Sequence, residues 1–476
     1  MKVKVFPYLI LLTLVCGALQ TKGQQKSMEL QKPNLILIIA DDLGYADVGF
    51  NGSTEIPTPY IDRIANEGVK FTNGYVSYPV CGPSRAGIIT GRYQDRFGFS
   101  RNPLFTPNDS LSGLPLAEET LADVLAKADY KCVALGKWHL GAHYSQHPNQ
   151  RGFSDFYGFL SGGHHYFPEK WTLKDEFEAK TQFDGYKTKL LRNQERIEET
   201  EYLTDAISRE AISYIDKYKE EPFFLYVAYN APHTPMQATE MYLQRFSHIE
   251  DEKRRTYAAM VSAVDDGVGG ILEKLKELEL EEETIVCFIS DNGGPLKINA
   301  SLNTPLRGKK GDVFEGGLRV PFAMKWKGVI PPGLTFEEPV ISLDIFATMV
   351  GQIAPDIDTK NEIDGVDLIP YISGDTDHPP HPFLYWRKYD QKHYAMRSGE
   401  NKLIDMDGNR MYYNVEKDID ESENTIDRNK KTYEEEWTKF NEWYHSLQDP
   451  VFLGLRQNDQ YEANHPDRFK RPETKK

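Results

Sequence analysis

Asn34-Leu-Ile-Leu-Ile-Ile-Ala40 is an unbroken apolar run that stops at two carboxylates, Asp41 and Asp42. A strand with one wet face alternates apolar and polar residues; a strand buried on both faces does not, and that is the condition of a parallel sheet. Three other segments share the design. Lys131-Cys-Val-Ala-Leu135 ends in Gly136-Lys137-Trp138-His139. Phe223-Phe-Leu-Tyr-Val-Ala-Tyr229 ends in Asn230-Ala-Pro-His233, and Thr284-Ile-Val-Cys-Phe-Ile289 ends in Ser290-Asp291-Asn292-Gly293-Gly294. Helical patterning lies between these runs: Tyr257, Val261, Val264, Val268, Leu272 and Leu275 recur at spacings of three and four and paint one apolar stripe. Alternating β and α elements predict an α/β fold, a large, mainly parallel sheet flanked by helices. Ligands of such sheets bind beyond the carboxyl ends of the strands, so the polar residues that close the four runs are expected to meet along one edge.

A chain of 476 residues suits one large domain and a smaller one. We place the first over residues 30–355. A stretch rich in Pro, Asp and Gly, about 351–382, reads as a linker. Short strand-like pieces from His381 to Tyr413, with a turn at Asp407-Gly408, predict a smaller α+β C-terminal domain over 380–457 that carries an antiparallel sheet. Residues 458–476 read as a polar, frayed tail. At the other end, Lys2 and Lys4 precede an apolar run from Val5 to Val15 and then Cys16-Gly17-Ala18, the pattern of a secretory signal peptide over residues 1–23. That run is shorter than the ~20 apolar residues a membrane span needs. The expectation is an exported protein, periplasmic or secreted, with no membrane span. Lipoprotein anchoring through Cys16 is the lesser alternative, because Val15 is bulkier than the small residue usual before a lipidated cysteine.

The net charge of −16 argues against nucleic acid as a partner. An anionic substrate would have to be held by a local cluster of basic groups. Cys132 and Cys287 lie within strand-like runs and read as buried thiols, and the cysteines left after the signal are too few for a disulfide framework.

Cys81 has unusual neighbours: Cys81-Gly-Pro-Ser-Arg-Ala-Gly-Ile-Ile-Thr-Gly-Arg92. Pro83 suits the first turn of a helix, which puts Cys81 and Gly82 at its amino end. There the helix dipole and free N–H groups favour an anion, and Arg85 adds a fixed positive charge. Read without context, Cys81 is an activated thiolate or a plain turn cysteine. The string, however, resembles the Cys-x-Pro-Ser-Arg-Ala-x-x-x-Thr-Gly-Arg signature of the type I formylglycine-dependent sulfatases, arylsulfatase-like members of the alkaline phosphatase superfamily, and every fixed position matches. The resemblance is to bacterial polysaccharide-degrading sulfatases in particular, and it extends over most of the chain after the signal.

The resemblance implies that a formylglycine-generating maturation enzyme oxidises Cys81 to Cα-formylglycine (3-oxoalanine). It implies a metal site built from Asp41 and Asp42 in Ala40-Asp-Asp-Leu-Gly-Tyr45, Asp291 and Asn292 in Ser290-Asp-Asn-Gly-Gly294, and residue 81 itself. Oxygen donors from these acids and the amide make a hard-cation site for Ca²⁺ or Mg²⁺ rather than Zn²⁺, and one Ca²⁺ per chain is the family expectation. Gly136-Lys-Trp-His-Leu-Gly141 resembles the segment whose Lys and His flank the nucleophile, here Lys137 and His139. His233 resembles the histidine facing the ester oxygen, a candidate general acid. The block Leu306 to Pro321 resembles the one that carries a sulfate-binding lysine, which aligns with Lys310, the neighbouring Lys309 being the alternative.

The implied chemistry is hydrolysis of a sulfate ester. The cation with Arg85, Lys137 and Lys310 neutralises the anion. One hydroxyl of hydrated formylglycine attacks sulfur, and the second hydroxyl then lets the carbonyl reform and expel sulfate. Substrate choice is less legible. His164 and His165 in Ser161-Gly-Gly-His-His-Tyr-Phe167, and Arg387 in Leu384-Tyr-Trp-Arg387, are candidates for holding a sugar, with loop packing as the competing reading. The resemblance leans towards a marine algal glycan such as ulvan or carrageenan, with animal glycosaminoglycans as the other class. A phosphonate or phosphate monoester hydrolase of the same superfamily, or a non-catalytic homologue that binds sulfated glycan, are the alternatives.

Overall fold

The structure, a computed structural model, is described over residues 32–353, 355 and 357–471. The signal segment 1–23 and Cys16 lie outside the described residues. No helix among the described residues is long and apolar enough to cross a membrane.

The strands in chain order are β1 (Asn34–Ala40), β2 (Val69–Phe71), β3 (Gly74–Tyr75), β4 (Lys131–Lys137), β5 (Asp155–Phe159), β6 (Leu191–Arg192), β7 (Glu195–Arg196), β8 (Phe223–Ala228), β9 (Thr284–Ser290), β10 (Phe322–Trp326), β11 (Leu334–Phe336), β12 (Val340–Ile341), β13 (Leu384–Lys388), β14 (His393–Ser398), β15 (Asn401–Met406) and β16 (Asn409–Asn414). Ten of them form one sheet in the order β11-β2-β10-β9-β1-β8-β4-β5-β6-β7. Its centre, from β5 to β9, is parallel throughout; β10 and the short β6 and β7 pair antiparallel, so the sheet is mixed but mainly parallel.

The unbroken apolar run of β1 has a direct cause in this arrangement. Successive side chains of a strand point to opposite faces. Leu35, Leu37 and Ile39 enter one core, with Ile88 and Ile89 of the helix Cys81–Thr90. Ile36 and Ile38 enter the other, with residues of the helices Leu203–Tyr218 and Glu252–Glu277. Both faces are dry, so a polar residue has no place until the strand ends. The stripe read at Tyr257 to Leu275 is the buried face of the second of these helices.

The C-terminal sheet is antiparallel, in the order β13-β14-β15-β16. Asp407 and Gly408 join β15 to β16 with φ of 52° and 89°, the left-handed pair that a two-residue hairpin requires. The helix Lys430–Tyr444 covers this sheet, packing Tyr433 and Phe440 beside Trp386 and Leu403. Buried polar ties bind it to the larger sheet's layers. Lys402 Nζ sits 2.8 Å from Glu315 Oε1, both wholly buried, and Trp386 Nε1–H donates to Val76 O at 2.8 Å. The described residues accordingly form one compact unit.

Two expectations are corrected here. The stretch read as a linker is tied down: the helix Asp344–Ile353 runs into it, and Asp364 takes Arg96 at 2.6 Å. The tail read as frayed carries the helix Asn458–Asn464, with Tyr461 buried and its hydroxyl donating to Asp109 Oδ2 at 2.8 Å. Its few apolar groups are spent on docking, which composition alone does not reveal.

Candidate active site

β1, β4, β8 and β9 are neighbours and run the same way, so their carboxyl ends deliver Asp41 and Asp42, Lys137, the loop to His233, and Asp291 with Asn292 to one edge. The turns that follow are tight. Asp42 and His139 adopt left-handed φ of 66° and 56°, a conformation rare outside glycine and often found where a site over-determines the backbone. A Cβ at Gly293 would collide with Gly316 O, so only glycine lets the short helix Glu315–Leu318, which follows the loop carrying Lys310, close against the end of β9. That loop is pinned from both sides: Lys310 N–H donates to Gly294 O at 3.1 Å and Gly311 N–H to Pro79 O at 2.8 Å.

Cys81 opens the helix Cys81–Thr90, which Gly91 ends in the left-handed conformation at φ 66°. Its neighbour Gly82 donates its N–H to Asn102 Oδ1 at 2.9 Å. Lys310 Nζ lies 3.0 Å from Cys81 Sγ and 2.7 Å from Asp42 Oδ1. Arg85, on the next turn of the helix, is wholly buried; its Nε and Nη2 each lie 2.8 Å from Asp291 Oδ2, and its Nη1 donates to Lys137 O at 3.2 Å. Lys137 Nζ lies 2.6 Å from Asp41 Oδ2. His233 donates through Nδ1 to Thr234 O at 2.6 Å, which leaves Nε2 turned inward, 3.7 Å from Asp42 Oδ2. His139 is buried, with no partner for Nδ1 among the described residues.

Burial sets the protonation of this cluster. It pushes the Cys81 thiol up to about 11, against the pull of Lys137 and Lys310. A thiol raised in this way is a poor thiolate, which disfavours the activated-thiolate reading. Burial also drives His233 down to about 3, with Lys310 and Lys137 adding to it and Asp42 opposing. His139 falls well below its ordinary value for the same reason, with Lys137 and Arg85 adding to burial. Burial and the nearby Asp41 raise Asp291.

The donor set fits a hard cation. Carboxylate oxygens of Asp41, Asp42 and Asp291 lie within 4.8 Å of one another, all buried. Asp41 Oδ1 and Asn292 Oδ1 are buried without a hydrogen-bond partner among the described residues. Buried acceptors left unpaired are rare and costly, and crowded carboxylates repel one another. A divalent ion ligated by oxygens answers both at once, and Ca²⁺ or Mg²⁺ takes such donors.

Cys81, Arg85, Lys137, His139, His233, Lys310, Asp41, Asp42, Asp291 and Asn292 thus come together. Lys310, and not Lys309, reaches Cys81; Lys309 is exposed. His164 and Arg387 do not join them, and the reading of both as sugar contacts is corrected. His164 is wholly buried between Phe159 and Trp171, with ring nitrogens 2.9 Å from His165 O and 2.8 Å from Thr188 O. Arg387 is buried against Asp95, Nε to Oδ1 at 3.1 Å, and ties the C-terminal sheet to the segment after the Cys81 helix. His165 is half-buried, its Nδ1 3.3 Å from Gln237 Nε2. Sequence reasoning missed Asn102 at the helix start and Asn299, whose amide donates to Asp42 O at 3.1 Å and to Pro232 O at 3.3 Å. Neither follows an apolar run or sits in a matched motif, so nothing local singles them out.

Comparison with known proteins agrees with this geometry. A family profile described as Sulfatase matches residues 33–354. The uncharacterized sulfatase YdeN of Escherichia coli K12 is 31% identical over 408 residues, which cover 75% of this chain and 68% of its own. Human N-acetylgalactosamine-6-sulfatase is 33% identical over 364 residues, 74% of this chain and 67% of its own. The crystal structure of Ps i-CgsB in complex with k-i-k-neocarrahexaose superposes with a TM-score of 0.85 at 38% identity, covering 93% of this chain and all of that one. With the fold, the Cys81 signature and these matches in agreement, the chain belongs to the sulfatase family, in the alkaline-phosphatase-like fold, and is a sulfuric ester hydrolase.

Proposed function

We propose that the enzyme removes O-sulfate from a sulfated polysaccharide or oligosaccharide, with a carrageenan-type marine glycan as the favoured substrate, using Cys81 matured to formylglycine and one Ca²⁺. The observation that carries the reading is the meeting of Cys81, Lys310 and three buried carboxylates at one strand edge. The glycan assignment leans on the likeness to Ps i-CgsB, which was crystallised with a neocarrahexaose. Export through residues 1–23 and maturation by a formylglycine-generating enzyme are part of the same proposal.

Asp41, Asp42, Asp291 and Asn292 would hold the cation. Together, hydrated formylglycine and the cation would supply a hydroxyl nucleophile and a Lewis acid for the sulfate. The chain's own residues do the rest. Arg85 and Lys137 are committed to Asp291 and Asp41, so they orient the carboxylates and balance their charge. Lys310 bridges Cys81 and Asp42 from the open side, where it can hold a sulfate oxygen. His233 faces inward through Nε2 and is neutral in the free site, because burial holds it at about 3. To act as general acid it must gain its proton together with the anionic substrate, whose charge favours the imidazolium.

Turnover of 4-nitrophenyl sulfate against 4-nitrophenyl phosphate tests the reaction class. Faster sulfate cleavage is expected, and faster phosphate cleavage would overturn the reading. For His233→Ala we expect a loss of roughly 10²–10⁴-fold on a sugar sulfate, whose alkoxide needs a proton. The loss on 4-nitrophenyl sulfate, whose leaving group does not, should be much smaller. Equal losses on both would remove His233 from the acid role.

A further inference from the structure

Beside the nucleophile lies a cavity of about 240 Å³ that no motif announces. It begins at Lys310 and Val80, next to Cys81, and runs to a wall made by the C-terminal part of the chain. Tyr78, Arg101, Lys388, Asp390 and Gly454 to Gln457 line it. Its size is just below that of ordinary small-molecule sites, about 300–1,000 Å³, and suits a single sugar residue attached to a sulfate held at Lys310.

The charges of this wall are unbalanced. Asp390, the acidic residue of the lining, is already engaged: Arg101 grips it with Nη2 to Oδ1 at 2.6 Å and Nε to Oδ2 at 3.0 Å, and Gln457 Nε2 donates to it at 3.1 Å. Lys388 is 4% exposed and makes no ion pair among the described residues; its ammonium donates to Gly311 O, beside Lys310. Arg456 is exposed at the rim and also makes no ion pair among the described residues. Burial and the nearby guanidinium of Arg456 bring Lys388 down to about 8, with Asp312 opposing, so the two cations already feel one another. A buried lysine without a carboxylate is an expensive arrangement unless an anion completes it.

We propose that Lys388 and Arg456 form a second anion subsite, which takes a further sulfate or a carboxylate on the same sugar or the next one. The enzyme then prefers saccharides carrying a second negative charge close to the ester it cleaves. This rests on the glycan-sulfatase reading above and names the substrate class within it. Arg456 supplies a planar fork suited to a tetrahedral or planar oxyanion, and Lys388 a second positive group that is buried in the cavity wall. The Arg101–Asp390 pair keeps the wall shaped and leaves Asp390 no free charge with which to repel the anion.

The test compares wild type, Arg456→Gln and Arg456→Lys on three substrates: 4-nitrophenyl sulfate, a singly sulfated oligosaccharide, and its doubly sulfated counterpart. Arg456 is exposed, so both variants should fold. Wild type is expected to favour the doubly sulfated saccharide. Arg456→Gln should raise KM for that substrate about tenfold with kcat unchanged, while 4-nitrophenyl sulfate and the singly sulfated saccharide are unaffected. Arg456→Lys should restore part of the loss. Equal KM for wild type and Arg456→Gln on the doubly sulfated saccharide would overturn the subsite, as would equal losses on all three substrates. Failure of wild type to cleave any of the sulfates would instead overturn the functional reading itself, and the subsite with it.

Discussion

Cys81→Ala should give a folded protein with no measurable sulfate-ester turnover, a loss of at least about three orders of magnitude, as expected when a covalent nucleophile is deleted. The substitution removes only Sγ from a buried position at the start of a helix, so the helix and the sheets keep their contacts. Lys310 loses its contact with Sγ and keeps Asp42. Circular dichroism and thermal melting should therefore be close to wild type while activity is gone. A parallel measurement separates nucleophile from bystander: mass spectrometry of the tryptic peptide from active wild-type protein should show the aldehyde. Retained activity in the alanine variant, or an unoxidised thiol throughout an active preparation, would refute the assignment. A reactive thiolate would have been the competing account, but burial, which raises the thiol to about 11, makes it a poor one at neutral pH.

Asp291→Ala should damage both stability and catalysis. Arg85 is wholly buried, and two of its nitrogens meet Asp291 Oδ2 at 2.8 Å; its next carboxylate, Asp41, is 3.9 Å away. Removing one partner of a buried pair leaves an uncompensated charge and costs about 3–5 kcal/mol. On the proposed reading the same substitution also deletes a cation ligand. Wild type is expected to melt at a higher temperature as Ca²⁺ is added, because a ligand bound only by the native state stabilises it by mass action; the variant should melt lower and ignore the ion. Asp291→Asn keeps the side chain's shape and isolates the lost charge, so it should lose the Ca²⁺ response with a smaller drop in stability. An Asp291→Ala protein that melts as wild type does and still responds to Ca²⁺ would remove Asp291 from the site.

Much of this site was legible one segment at a time. Asp41, Asp42, Asp291 and Asn292 follow apolar runs directly, and a chain that leaves a doubly buried strand can only then become polar. Cys81 stands in a string whose helix start is set by Pro83 and whose end is set by Gly91. The signals were strong because each depends on residues within a few positions of one another. His164 and Arg387 failed for the opposite reason. Whether an imidazole or a guanidinium faces solvent depends on what packs over it, and here the distant partners are Thr188 for His164, 24 positions on, and Asp95 for Arg387, 292 positions back.

The cavity beside Lys310 belongs to the same class. Its walls come from Arg101, Lys388 and Arg456, which share no motif and no period. The docked helix Asn458–Asn464, read in one dimension as a polar tail, holds the end of the chain close to that wall. By itself, then, the amino-acid string determined the α/β class, the strand ends that carry the acids, and the cysteine whose surroundings mark the reaction, because periodicity and short motifs are properties of neighbours along the backbone. Only the tertiary structure decided which lysine reaches Cys81, that His164 is packing, and which cations make no ion pair among the described residues beside Cys81, because burial and charge balance are summed over residues that folding brings together from hundreds of positions apart.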